Sequence, residues 1–362
     1  MVTMYTVGTT ILVIPSGMAA EAKQDAWIGA VIGVAIGLLL VLLYNAAGGI
    51  YPGNTLVETI EAVLGKWIGK AVSFLLICFA MILASELLYY IGNFITTQIL
   101  PETPILAVHL LFAIVSAAGV RYGVEVLARS IELLFPLFIL LLLILVAFSS
   151  FQIEPNHLLP IMEADAKSLL RAGLFFTSTF SLTPVLLLMI YPASVDDPHS
   201  ARKAFLWGTA AAGVLMIAVI LLSISVLGAD MTARQIFPSY ALAKKINVGN
   251  FLQRIEIVVA GMWFISIFVR MTIYYYAAVT AIAQTFKLKD YRFLVLPACI
   301  ILVTLSLIVH PDIVHSTKYD REAWPAYAAV FGFLLPLLLV VVHAFRSGGR
   351  TDGDGDEQAG SS

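Results

Sequence analysis

Thr6-Val7-Gly8-Thr9-Thr10-Ile11-Leu12-Val13-Ile14-Pro15 and Thr177-Ser178-Thr179-Phe180-Ser181-Leu182-Thr183-Pro184 are apolar segments that carry their own helix breakers. Proline inside a helix removes one backbone bond and clashes with the preceding turn, while glycine lowers the cost of leaving helical geometry. Each segment lies in a longer hydrophobic run, so each reads as a helix interrupted near the middle of a membrane. Interrupted helices at matching places in two halves of a chain are the best sequence pointer to a midplane binding site.

Around both stretches the chain suits lipid and not water. Of its 362 residues, 60% are hydrophobic and 12% charged, against roughly 25% charged in an ordinary soluble domain. Runs such as Ile28 to Tyr44, Leu133 to Phe148 and Phe331 to Val342 approach the ~20 residues that cross ~30 Å of hydrocarbon as helix. The apolar runs predict ten helices, near 2–20, 26–47, 68–100, 104–120, 130–151, 168–191, 201–227, 251–286, 292–309 and 324–345. The third and eighth are longer than a bilayer needs and are expected to cross obliquely. The expected fold class is an all-α integral membrane protein: one transmembrane domain over 1–345, then a disordered Gly-, Asp- and Ser-rich tail over 346–362. If 1–151 and 168–345 are inverted repeats of five helices, the sixth helix echoes the first and each half holds one break.

Val2 to Pro15 followed by Ser16-Gly17-Met18-Ala19-Ala20 resembles a signal peptide, but no Lys or Arg precedes it, so the segment is expected to be retained. Lys and Arg in the connections number eleven on the N-terminal side and nine on the other, four of the nine in or beside the long connection 229–250. Long loops translocate with less regard to charge, so both termini are expected inside. A net charge of −2 without a basic cluster gives nucleic acid nothing to hold. Cys78 and Cys299, within apolar runs, read as small hydrophobes.

The breaks themselves offer chemistry. Amides around Gly8, Thr9 and Thr10 would open the second half of the first helix and attract a carboxylate. Carbonyls freed near Thr177 to Ser181 would suit an ammonium, so the pair fits a zwitterion. Each hydroxyl taken singly is more often structural, bonded back to its own helix. Arg270 lies far from both ends of the eighth helix and costs at least ~2.5 kcal/mol there, so it needs a partner. Glu86, midway along the third helix, is the obvious counter-charge. Two readings stand: a structural ion pair, or Arg270 as a ligand contact. No His, Cys and carboxylate cluster has metal spacing and no phosphate-binding glycine motif occurs, so neither an enzyme nor a cofactor is expected.

The chain resembles the spore-germination permeases, the B subunits of nutrient-germinant receptors. The resemblance lies in Gly8-Thr9-Thr10-Ile11-Leu12 through Pro15, Asp25-Ala26-Trp27, Tyr51-Pro52-Gly53 and Leu64-Gly65-Lys66-Trp67-Ile68-Gly69. It continues in Leu100-Pro101-Glu102-Thr103-Pro104-Ile105, Gly123-Val124-Glu125 with Ala128-Arg129, Asn156 with Leu159-Pro160, Arg254-Ile255-Glu256, Trp263, and Arg270 with Tyr274. It implies the amino acid–polyamine–cation transporter fold and a receptor in the inner spore membrane. Its implied partners are a membrane subunit with a cytoplasmic domain and a lipoprotein, and its ligand is a small nutrient such as an amino acid. By position it places the pocket at Gly8 and Thr9, at Phe79 and Leu83, at Phe180, Ser181, Leu182 and Thr183, and at Arg270 with Tyr274. A proton-coupled amino-acid transporter of the same superfamily is the rival, with Glu86 as proton carrier if Arg270 does not hold it.

Overall fold

The computed structural model describes residues 1–245 and 256–351. The start of the expected eighth helix, with Arg254-Ile255, and the tail beyond Thr351 lie outside the described residues. The first span comprises α1 (Val2–Val7) and α2 (Thr10–Ala22), parted at Gly8 and Thr9. A 3-10 turn at Lys23–Asp25 leads into α3 (Ala26–Gly48). The short amphipathic α4 (Leu56–Leu64) starts with a reciprocal capping box between Thr55 and Glu58. The long α5 (Lys66–Phe94) ends in a π-helical turn, Ile95–Ile99. Gly123 joins α6 (Ile105–Tyr122) to α7 (Val124–Ser150) at a φ of 94°, a conformation that glycine takes without steric cost.

The second half opens with α8 (Ala166–Phe180), which stops at Ser181 and hands over to a 3-10 segment, Thr183–Met189. Next come α9 (Pro198–Leu227), the short α10 (Ala229–Arg234) and α11 (Pro238–Lys245), and then α12 (Glu256–Thr285). The chain turns by 97° between α13 (Val295–Ile308) and α14 (Ile313–Glu322). It finishes with α15 (Trp324–Ala329), a π-helical turn at Val330–Leu334, and α16 (Leu335–Thr351).

Among the described residues eight helices are long and apolar enough to cross a bilayer, or nine when the bent pair is counted as one span. One of them, Thr10–Gly48, runs for 39 residues, roughly 58 Å at 1.5 Å per residue, about twice the hydrocarbon thickness. Its neighbours show that it is two antiparallel passages. Along α3, Gly29, Gly33 and Gly37 meet Ala172, Phe176 and Ser181 in ascending order. Along α2 the order is reversed, with Thr10 near Thr179 through Arg270 and Gly17 against Phe175. Divided at Lys23–Asp25, and with the bent pair, the described helices make ten passages.

The glycines on α3 let two helices touch almost backbone to backbone, which is how helices gain van der Waals contact in lipid. A Cβ at Gly33 would stand 2.6 Å from a Phe176 ring carbon. The turn after α2 is fixed by Asp25, whose buried carboxylate accepts the amides of Met162 and Ala164 at 2.8 and 2.9 Å. Connections sort to two ends of the bundle. Lys23–Asp25 meets 160–164 at one end, and at the other Lys287 reaches Glu61 while Tyr291 donates to the Val120 carbonyl.

Three expectations change. Pro15 does not break the first span, for α2 runs through it; the Ile11 carbonyl that Pro15 leaves without an amide accepts the Ser239 hydroxyl instead. The short helices α4, α10, α11 and α14 were not legible in the apolar runs. The last helix continues through Arg346 to Thr351, where a disordered tail was expected, and Arg346 Nη1 donates to the Val63 carbonyl at 2.5 Å.

Candidate ligand-binding site

The first break is a consequence of Gly8, whose φ of 29° and ψ of −126° lie outside the helical region. Two groups at the break are settled by hydroxyls. Ser266 donates to the Gly8 carbonyl at 3.2 Å, and Thr10 donates to the Thr6 carbonyl at 2.9 Å. Thr9 is different: it is 5% exposed and its Oγ1 has no hydrogen-bond partner.

At the second break side chains from other helices reach the carbonyls that leave the helix. Arg270 Nη2 donates to Thr179 O at 2.6 Å, and Tyr5 donates to Thr183 O at 2.7 Å. The Tyr44 hydroxyl reaches Ser181 O at 2.8 Å, Leu182 O at 3.2 Å and Gly332 O at 2.7 Å. A phenol has one O–H to donate, so Tyr44 serves one of its three carbonyls at a time, while Arg270 and Tyr5 hold Thr179 O and Thr183 O. In a bilayer an unmet carbonyl is costly, and side chains from other helices lie within reach of these. Thr177 and Ser178 bond back to Gly173 and Phe175, the ordinary structural use of a helix hydroxyl.

Arg270 joins the two breaks. It is 2% exposed, midway along α12, and makes four hydrogen bonds. Nε donates to the Tyr274 hydroxyl at 2.7 Å and Nη1 to Thr10 Oγ1 at 2.9 Å; Nη2 donates to Thr179 O and, at 2.8 Å, to Thr183 Oγ1. The guanidinium also lies 5.6 Å from the ring centroids of both Tyr5 and Tyr274, within cation–π range. Four of its five N–H groups are thus committed to protein. No ion pair with Glu86 occurs among the described residues, so the expected counter-charge is replaced by threonine oxygens and a carbonyl.

Beside this junction lies a cavity of about 50 Å³. Thr9, Leu83, Thr183, Arg270 and Tyr274 line it, as does Glu86. The other expected residues stand behind the wall. Gly8 packs on Arg270, where a Cβ would come 2.5 Å from Cδ, and Thr10 holds the guanidinium. Phe79 stacks on Phe331 at 4.4 Å and on Trp324 at 6.3 Å, so it supports Trp324, which does line the cavity. Phe180 packs on Phe176, Ser181 on Gly37 and Leu182 on Gly332. None of these three faces the cavity.

Sequence reasoning missed Tyr90 and Asp320, which close one end of the cavity with a hydrogen bond from the phenol to the carboxylate. Tyr90 was findable, since Leu83, Glu86, Leu87 and Tyr90 fall on one helical face by their spacing. Asp320 was not, because it belongs to the polar α14. That helix is the second limb of the bent span that begins with α13. A second cavity, of about 80 Å³, begins on the far side of this pair. It shares Val13, Tyr90, Phe175 and Asp320 with the first and includes Arg234 and Arg321. Glu86 itself is 6% exposed, and its Oε1 has no hydrogen-bond partner.

The molecule is thus an all-α integral membrane protein with a small cavity between two interrupted, antiparallel helices, its mostly apolar wall carrying a few polar side chains. Comparison with known proteins gives the family: residues 1–313 match the spore germination protein family of spore permeases, and the chain belongs to it. It is 30% identical to spore germination protein KB of Bacillus subtilis, over 99% of this chain and 96% of that one. Spore germination protein YndE of the same organism is 22% identical over 96% of this chain and 94% of its own length. Spore germination protein A2 is 24% identical over 94% and 92%.

Proposed function

We propose that this chain is the nutrient-sensing membrane subunit of a spore germinant receptor, a binding protein and not an enzyme. A small nutrient, such as an amino acid, enters the mid-membrane cavity. The change it causes passes to companion subunits in the inner spore membrane, a second membrane protein with a cytoplasmic domain and a lipoprotein. The observation that carries this reading is the cavity beside the two breaks, with buried, unpartnered polar atoms on Thr9 and Glu86. Natural interiors leave few such atoms unmatched, so a polar ligand is their simplest complement. A ligand moves the receptor only through unequal affinity for its two states, so output requires the companions.

Spores that lack this chain should lose their response to a nutrient that triggers the parent strain, and the intact chain should restore it. Leu83→Trp, which fills the cavity, should not restore it although the protein reaches the membrane. A normal response with Leu83→Trp would remove the cavity from the mechanism. One observation favours the transporter as a second reading: Glu86 faces the cavity and is not held by Arg270, so it is free to carry a proton. Purified protein in liposomes distinguishes them, since uptake driven by a proton gradient belongs to the transporter alone.

A further inference from the structure

Where α6 ends and α13 begins, the side of the bundle holds a groove of about 890 Å³. At their other ends the same two helices meet, with His109 Nδ1 at 2.8 Å from Ser306 Oγ. Both walls of the groove are tied down. Tyr291 donates to the Val120 carbonyl of α6 at 3.2 Å, and Tyr275 of α12 donates to the Val295 carbonyl of α13. The space is therefore built into the fold.

Its lining changes with depth. Arg121 stands in the last turn of α6, and Arg292 opens the 3-10 turn Arg292–Leu294 that leads into α13, so both arginines stand at the mouth. Both are exposed, and neither guanidinium has a partner among the described residues. Asp290, also at the mouth, accepts the Arg292 amide at 3.0 Å, which leaves two cations against one carboxylate. Seven residues deeper on each wall, roughly 10 Å at helical rise, the lining is Ile114 and Cys299, with Ala118 and Leu296 on the way. The 18 residues of α6 span about 27 Å, close to the ~30 Å of hydrocarbon, so its last turn lies at headgroup depth. The exposed Tyr122 beside Arg121 suits that level. A soluble anion would use the mouth alone, whereas an apolar trench below two arginines is a seat for an acyl chain.

We propose that this groove binds one anionic glycerophospholipid, with its phosphate between Arg121 and Arg292 and an acyl chain along Ala118, Ile114, Leu296 and Cys299. The planar fork of arginine matches phosphate oxygens, and charge-assisted bonds of this kind are the strong ones. Basic pockets between membrane helices hold anionic headgroups, and this end of the bundle is the one richer in connecting Lys and Arg. A lipid seated here grips α6 and α13 together. Through Val295 it also bears on α12, the helix that carries Arg270. The groove is separate from the cavity beside the breaks, so the proposal stands whether or not that cavity takes a nutrient.

The test uses the full chain in a neutral detergent, with a fluorescent phosphatidylglycerol as reporter. Competitors are unlabelled phosphatidylglycerol, phosphatidylcholine with the same acyl chains, and inorganic phosphate. Phosphatidylglycerol should displace the reporter at a concentration at least roughly tenfold lower than phosphatidylcholine, the worth of one charge-assisted hydrogen bond. Inorganic phosphate should not displace it. Arg121→Gln with Arg292→Gln should bring the two lipids level. Lys66→Gln with Lys203→Gln, which removes two exposed cations from the same end, should leave the preference intact. Equal displacement by the two lipids on the unaltered protein overturns the proposal, and that series decides the matter even where a variant does not fold. Displacement by phosphate as effective as by phosphatidylglycerol overturns it in favour of a soluble anion. An equal loss of preference in the lysine variant overturns it in favour of diffuse attraction to the whole face.

Discussion

Arg270→Met removes the junction between the two breaks while keeping an apolar stem. Four hydrogen bonds from a charged donor, at ~1.5–3 kcal/mol each, are lost. Against that roughly 6–12 kcal/mol, some ~2.5–3.5 kcal/mol is recovered because no guanidinium has to reside at mid-membrane. The net loss should be at least about 2.5 kcal/mol, in line with breaking a buried charged network. Arg270→Lys keeps the charge but has three donors for four acceptors and no planar fork, so it should fall between. Thermal unfolding in detergent measures this, with a thiol-reactive dye reporting on buried Cys299 and half-buried Cys78. The decisive comparison is a pair of double-mutant cycles. Arg270→Met should couple to Thr183→Val by roughly 1 kcal/mol or more and be additive with Glu86→Gln within about 0.5 kcal/mol. Rescue of Arg270→Met by Glu86→Gln would show that the two charges are partners and refute the assignment of Arg270 to the breaks.

Gly8→Val places a branched side chain at φ 29°, with its Cβ 2.5 Å from Arg270 Cδ and 2.9 Å from the Tyr5 carbonyl oxygen. It should cost roughly 1–3 kcal/mol in backbone strain and abolish the germination response; a normal nutrient dose–response in such spores counts against the break as part of the site. Tyr44→Phe strips one donor from three carbonyls and should lower stability by roughly 1–3 kcal/mol, read by the same dye assay, with an unchanged unfolding midpoint as the contrary result.

The breaks were legible because Gly8 and the Ser181 region interrupt otherwise continuous apolar runs, and Arg270 because a charge in lipid must be answered. What answers it was not legible. Thr10 and Thr183 are separated from Arg270 by 260 and 87 residues, and a hydroxyl that bonds back to its helix looks in sequence like one that receives a guanidinium. Glu86 seemed the natural partner because opposite charges in apolar runs attract attention, whereas the fold satisfies Arg270 with neutral oxygens. The phenols of Tyr5 and Tyr44 donate into the second break, yet nothing local to them marks that role. Asp320 stayed hidden for the opposite reason: its surroundings are polar in sequence, and only the bend after α13 turns it inward.

Tyr44 deserves a mechanical reading. One phenolic oxygen ties the broken end of α8 to Gly332, inside the π-helical turn that precedes α16. A Cβ at Gly332 would already stand 2.4 Å from the Leu182 carbonyl oxygen, so the two backbones bear directly on each other. From Gly332 the chain runs without a further break to Arg346, roughly 20 Å away at helical rise, where Arg346 anchors on α4 through Val63. A single helical segment thus links the second break to the Val63 contact on α4, with a side-chain hydrogen bond to a backbone carbonyl at each end.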